Sequence, residues 1–108
     1  SFGEKETQSL YYTLRSSIIE LDDVEVRPTK KYIGFIRNRN FCSMFVQKKK
    51  IKLWISMKKG ELNDYKNLMR DVSHVGHHGI GDFECLLDTN TDLDYVMSLI
   101  KQSYDKQV

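Results

Sequence analysis

Between Arg27 and Lys59 the chain reads RPTKKYIGFIRNRNFCSMFVQKKKIKLWISMKK. Two short polar breaks divide this stretch into three runs rich in β-branched and aromatic residues, Lys31 to Ile36, Phe41 to Gln47 and Ile51 to Met57. The first break is Arg37-Asn38-Arg39-Asn40, where asparagine tolerates positive φ and bonds its own backbone; the second is Lys48-Lys49-Lys50. Connections this short make neighbouring strands antiparallel, because a parallel crossover needs roughly a dozen residues or more. The centre of the chain is therefore predicted to be a meander, and the segments on either side are left to cover it.

The side-chain pattern assigns faces to these strands. In the third, Ile51, Leu53, Ile55 and Met57 point one way and Lys52, Trp54 and Ser56 the other. Ile33 and Phe35 share the apolar face of the first. The second strand leaves two readings open, since Phe41 with Phe45 and Cys42 with Met44 and Val46 each make an apolar face. Either the sheet is covered on both sides or its open face displays aromatic rings.

Helical spacing marks the flanks. Leu10, Tyr11, Leu14, Ile18 and Leu21 predict an amphipathic helix over residues 4–20, with Glu4 and Glu6 favourably placed in its first turn. Asp22 and Asp23 end it, Val24 to Val26 begins a short strand, and Pro28 pushes Arg27 towards extended geometry. Beyond the meander, Asp64 is predicted to cap a short helix from Tyr65 to Val72, followed by a glycine-rich loop from His74 to Gly81 and a fourth strong strand from Asp82 to Leu87. The last element is a helix from Asp92 to Asp105 with Thr91 as its N-cap and Leu93, Val96, Met97, Ile100 and Tyr104 as its apolar stripe. The expected fold class is α+β: an antiparallel sheet of four to five strands with the N-terminal and C-terminal helices packed on it, residues 1–108 forming a single domain.

Charge is what separates the meander from the rest. The net charge of +2 conceals that eleven of the seventeen Lys and Arg residues lie in residues 27–59, with no Asp or Glu among them. All fifteen acidic residues lie outside that stretch, so a basic surface and an acidic surface are expected on one small body. No apolar run approaches the ~18 residues of a membrane span, and no secretory signal opens the chain, so a cytoplasmic, non-membrane protein is expected. Cys42 and Cys85, isolated in apolar surroundings, read as buried thiols rather than a disulfide.

A set of short motifs distributed along the chain is also informative. Tyr12-x-Leu14-Arg15, Pro28-Thr29-Lys30, Tyr32-Ile33, Gln47-Lys48-Lys49-Lys50, Gly60-Glu61-Leu62, Arg70-Asp71-Val72-Ser73, Gly76-His77, Gly81-Asp82-Phe83-Glu84 and the run from Ser98 to Tyr104 resemble a small, largely uncharacterised prokaryotic domain family labelled "predicted transport protein". The likeness covers residues 10 to 105, departing from the family pattern at His78 and Tyr65, where Trp and Pro are common. Related domains occur alone, or at the C-terminus of proteins similar to modification-dependent restriction enzymes and nuclease-fold proteins. The resemblance thus implies a C-terminal domain of a longer protein as one arrangement, with a parent nuclease domain as partner. The transport label has no counterpart in the residues.

Alternate turns of a meander lie at opposite ends. Lys30, Lys31, Lys48, Lys49 and Lys50 are expected at one end and Arg37, Arg39, Lys58 and Lys59 at the other, ~20 Å away. Lys52 and Trp54, with Tyr32, are expected between them on the face away from the core. Cations neutralise phosphates and release counterions, and exposed rings stack on unpaired bases, so the stretch is read as a nucleic-acid-backbone surface. The plainer reading is that lysines at strand ends keep sheets from pairing edge to edge, or dock an acidic protein partner. No basic recognition helix is visible, which argues against base-specific reading. His77 and Asp82 are candidate ligand contacts in the glycine-rich loop, but His74, His77, His78, Asp82 and Cys85 match no zinc spacing, and the loop is read as a structural turn without a metal. Asp71, Asp82 and Glu84 lack the neighbouring lysine of a nuclease motif, so no catalytic residue and no cofactor are assigned. The functional expectation is a non-catalytic accessory domain of a prokaryotic nucleic-acid-processing or defence protein; the alternative is a protein-interaction or oligomerisation module.

Overall fold

Residues 3–75 and 81–107 are described by a computed structural model of the chain. Helix α1 spans Lys5–Ile19, strands β1 to β6 span Glu25–Pro28, Ile33–Arg37, Arg39–Val46, Ile51–Ile55, Arg70–Asp71 and Phe83–Leu87, and helix α2 spans Leu93–Lys106. Among the described residues the strands form one antiparallel sheet in the order β1-β2-β3-β4-β6-β5. The α+β class and the central meander are as expected, and the sheet has six strands rather than four or five.

Both helices lie on one face of the sheet, α2 over β3 and β4, and α1 against β3 and α2. Leu14 and Ile18 of α1 and Val96, Leu99 and Ile100 of α2 meet Phe35, Cys42, Met44, Ile51, Leu53, Ile55 and Leu87 of the sheet in the buried core. Removing each such large side chain from water contributes about 2 kcal/mol. The two apolar faces of the second predicted strand are reconciled by a bulge. The β2–β3 register shifts between Phe35, opposite Cys42, and Ile36, opposite Asn40, which leaves Phe41 unmatched. Phe41 and Cys42 are both fully buried, and the Phe41 ring meets Tyr104 of α2 edge-on at 5.3 Å. Phe45, opposite Lys52, remains on the other face and is exposed.

Two local expectations are corrected. The segment after Asp64 is a turn followed by the short edge strand β5, not a helix over 65–72. Asn67 takes a positive φ of 54°, and the Asp64 carboxylate accepts the backbone N–H groups of Leu68 at 3.1 Å and Met69 at 2.7 Å, which closes the turn instead of extending it. The same carboxylate accepts the Tyr95 hydroxyl, and Asn63 exchanges two 2.8 Å bonds with the Gln102 side chain, so this loop is tied to α2. At the start of α2 the N-cap is Asp92, whose Oδ1 accepts Tyr95 N–H at 3.2 Å. Thr91 accepts the Asp88 N–H at 2.9 Å and shapes the preceding turn.

Cys42 and Cys85 are free and buried. Burial raises the Cys42 thiol far above its ordinary value and pushes Cys85 up to about 12, so neither is a thiolate nucleophile at neutral pH. Among the described residues, no helix is long and apolar enough to cross a membrane.

Candidate nucleic-acid interface

Antiparallel pairing brings the β1–β2 connection and the β3–β4 turn to the same end of the sheet. Thr29 builds the first of these: its hydroxyl accepts the N–H groups of Lys31 and Tyr32 at 3.2 and 3.0 Å and donates to the Tyr32 carbonyl at 2.9 Å. That leaves the side chains of Lys30 and Lys31 in solvent. In the second, Gln47 N–H donates to the Lys50 carbonyl at 2.8 Å. The Lys48 carbonyl accepts Glu4 N–H at 2.8 Å and the Thr7 hydroxyl at 2.9 Å, so the start of α1 holds the turn in place. Lys48, Lys49 and Lys50 are exposed. Among the described residues, none of these five ammonium groups has a carboxylate partner.

Pairing of β2 with β3 stops at Ile33 opposite Met44. Past that point the two chains part around a groove of about 260 Å³ lined by Thr29, Lys30, Lys31, Tyr32, Phe45 and Val46, among others. Phe45 keeps 42% of its surface exposed, so an aromatic ring is presented beside the lysine turns.

The opposite end is less uniform. Arg37 is not free for a ligand: its guanidinium lies 4.2 Å from the Tyr104 ring centroid and donates to the Tyr104 carbonyl at 3.4 Å, bracing α2. Arg39 and Lys58 are exposed and line a cleft, and Lys59 is exposed. Hydrogen bonds from Ser73, and secondarily the Lys59 charge, hold Asp71 below the usual carboxylate range.

On the open face the expectation for Trp54 is corrected. The ring is 2% exposed and its indole N–H donates to Glu84 Oε1 at 3.1 Å. Cross-strand pairing sets Trp54 between Ser43 and Glu84, and the Asn40 side chain bonds Ser43 at 3.0 Å and Ser56 at 3.1 Å beside it. With so little of its surface exposed, the indole cannot serve as a stacking platform. Lys52 is half-buried, 4.0 Å from Glu84, and so partly neutralised. Arg27, on the same face, is chelated by Glu25 at 2.8 and 3.0 Å. His77 lies outside the described residues; Asp82 is half-buried at the cleft beside Arg39 and Lys58.

A family model described as "Domain of unknown function (DUF5655)" matches residues 2–107. The chain belongs to this family. An "Uncharacterized protein" of Haemophilus influenzae is 43% identical over 97 residues, which are 89% of this chain and 32% of that protein. The DUF5655 chain thus spans about a third of the length of that curated relative. No solved structure matches it. The resemblance to an uncharacterised prokaryotic domain family holds at this level.

Within the DUF5655 domain, then, the structure brings Lys30, Lys31, Lys48, Lys49 and Lys50 together, sets Arg39, Lys58 and Lys59 apart at the far end, and withdraws Arg37 and Trp54 into the fold. Phe45 is the residue sequence reasoning missed. Its signal was the pairing register, which places it opposite Lys52 on the polar face.

Proposed function

We propose that this DUF5655 domain binds the phosphate backbone of nucleic acid at its lysine-bearing end, as a non-catalytic accessory domain of a prokaryotic nucleic-acid-processing or defence protein. The observation that carries the reading is the pair of turns bearing Lys30, Lys31, Lys48, Lys49 and Lys50, without acidic partners among the described residues, on either side of an exposed ring. The ammonium groups take successive phosphates, and Phe45 stacks on an unpaired base. Lys52, then Arg39, Lys58 and Lys59, extend the path of a longer strand across the open face. Trp54 is packed within the fold beside this path, and Arg37 braces α2 instead of contacting the strand.

Fluorescence anisotropy with a labelled single-stranded oligonucleotide at rising salt tests the proposal. Three to five neutralised phosphates give a slope of log affinity against log salt of about −2 to −3.5. A second reading rests on the row Phe45, Lys52, Leu86 across β3, β4 and β6, in which Phe45 and Leu86 are 42% and 47% exposed. This apolar pair suits a protein partner, and a complex that ignores both salt and the lysine charges would favour it over nucleic acid.

A further inference from the structure

At the end of the sheet away from the lysine turns, four separate segments line a cleft of about 430 Å³. The β2–β3 hairpin supplies Arg39 and Asn40, the segment leaving β4 supplies Ser56 and Lys58, and the end of α2 supplies Lys106. Asp82, entering β6, completes the wall. The volume lies within the range of roughly 300–1,000 Å³ typical of small-molecule sites.

The cleft is built into the packing. Gly81 adopts φ +117°, and a Cβ there would lie 2.4 Å from the Ile55 carbonyl oxygen, so its backbone must approach the end of β4 closely. Asn40 and Ser56 are locked to each other at 3.1 Å and, through Asn40, to Ser43 at 3.0 Å. Arg37 donates to the Tyr104 carbonyl, which covers part of the negative pole of α2.

The charges point to a ligand class. Lys106 pairs with Glu61 at 3.0 Å, and that ion pair holds the Glu61 carboxyl below its ordinary value. Among the described residues Arg39 and Lys58 make no salt bridge, although Glu61, also on the cleft wall, lies within the field of the Lys58 charge; both cations can turn to a phosphoryl group. Asp82 would repel a bare anion, but it is an acceptor for hydroxyl groups displaced from that anion by a few bonds. We infer that the cleft binds a small organophosphate carrying free hydroxyls, a phosphorylated sugar or nucleoside, with Arg39 and Lys58 on the phosphate and Asp82 on the hydroxyls. A free mononucleotide and the 5′-phosphorylated end of a strand share this chemistry. The site shares Arg39 and Lys58 with the far end of the proposed strand path, but it lies away from the lysine turns and stands whether or not those turns bind nucleic acid.

Amide chemical-shift perturbation tests it, with adenosine 5′-monophosphate, ribose 5-phosphate, inorganic phosphate and adenosine as probes. Both organophosphates are expected to shift the amides of Asn40, Lys58 and Gln107, with inorganic phosphate weaker and adenosine weaker still. Arg39→Ala and Lys58→Ala each weaken the monophosphate about tenfold, the effect of one lost charge-assisted hydrogen bond. Asp82→Asn weakens the organophosphates and not inorganic phosphate, and Lys48→Ala changes none of them. Unperturbed amide spectra elsewhere verify that each variant is folded. Competition by a 5′-phosphorylated oligonucleotide but not its 5′-hydroxyl twin identifies a strand end as the source; competition by neither identifies a free metabolite. The absence of any shift, shifts confined to the lysine turns, or equal affinity in an Arg39→Ala/Lys58→Ala double variant overturns the inference.

Discussion

The two faces of the sheet are buried by different means. On the helix side Phe35, Met44, Leu53 and Ile55 are fully buried by apolar volume from α1 and α2. On the other side Trp54 and Ser43 are just as inaccessible, although both helices lie on the opposite face. There the buried ring sits in polar surroundings: Glu84 accepts the indole N–H, and Asn40 bonds Ser43 and Ser56 beside it. A large aromatic residue on the solvent face of a sheet is therefore not by itself a ligand platform; its surroundings decide whether the ring is open.

That contrast is most strongly tested in the core. Phe35→Ala, on the helix side, is expected to lower stability by about 4 kcal/mol in urea denaturation, the usual cost of a large cavity. A loss below about 1 kcal/mol would mean the helix side is no better packed than the open one. Charge reversal of Lys48, Lys49 and Lys50 to Glu is the next largest effect. It should reduce oligonucleotide affinity about a hundredfold at low salt and flatten the salt slope, with little change in stability. Unchanged affinity would remove the lysine end from any polyanion contact.

The two aromatic residues of the open face should then separate cleanly. Trp54→Phe, losing the bond to Glu84, is expected to cost about 1–2 kcal/mol of stability and to leave oligonucleotide binding intact. Phe45→Ala should do the reverse, preserving stability and costing about 1–2 kcal/mol of binding, measured by the same anisotropy titration. If both variants behave alike, the distinction between a packed ring and a presented ring fails.

The smallest effect concerns the loop tied to α2. Burial alone would push the Asp64 carboxyl up, but hydrogen bonds from Tyr95, Met69 and Leu68 outweigh it and hold the group below its ordinary value. Stability from such a depressed carboxyl is present above the unfolded value of about 3.9 and is lost as pH falls through the lower folded value. Asp64→Asn should cost about 1 kcal/mol at neutral pH and shrink that difference below about pH 4, seen in denaturation at the two pH values. A pH-independent difference would show that the carboxylate charge contributes nothing.

Most of the architecture was legible because it rests on repeating patterns. The alternation of Ile51, Leu53 and Ile55 and the helical spacing of Leu10, Leu14 and Ile18 are local signals, and the structure bears them out. Strand β5, Arg70–Asp71, is too short to carry a period, and it lies where helix was expected. The helix expected after Asp64 failed because a capping aspartate and a turn aspartate look the same until the next residues choose a conformation, here the positive φ of Asn67. The candidate site was legible as a set of lysines and not as a surface. Arg37 and Trp54 belonged to the expected interface by position, and were removed from it by partners 67 and 30 residues away in sequence.

The order of residues alone determined the meander, the covering helices, the clustering of cations into two turns at one end and the burial of both cysteines. These follow from nearest-neighbour periodicity and short connections, which act within a few residues. Tertiary structure alone decided which aromatic ring reaches solvent, which arginine braces a helix, and where a cleft opens. A bulge at Phe41 and the pairing of β4 with β6 set those outcomes; the β3–β4 hairpin register follows from its turn and apolar pattern, but the β4–β6 pairing joins segments about 30 residues apart that no local pattern brings together.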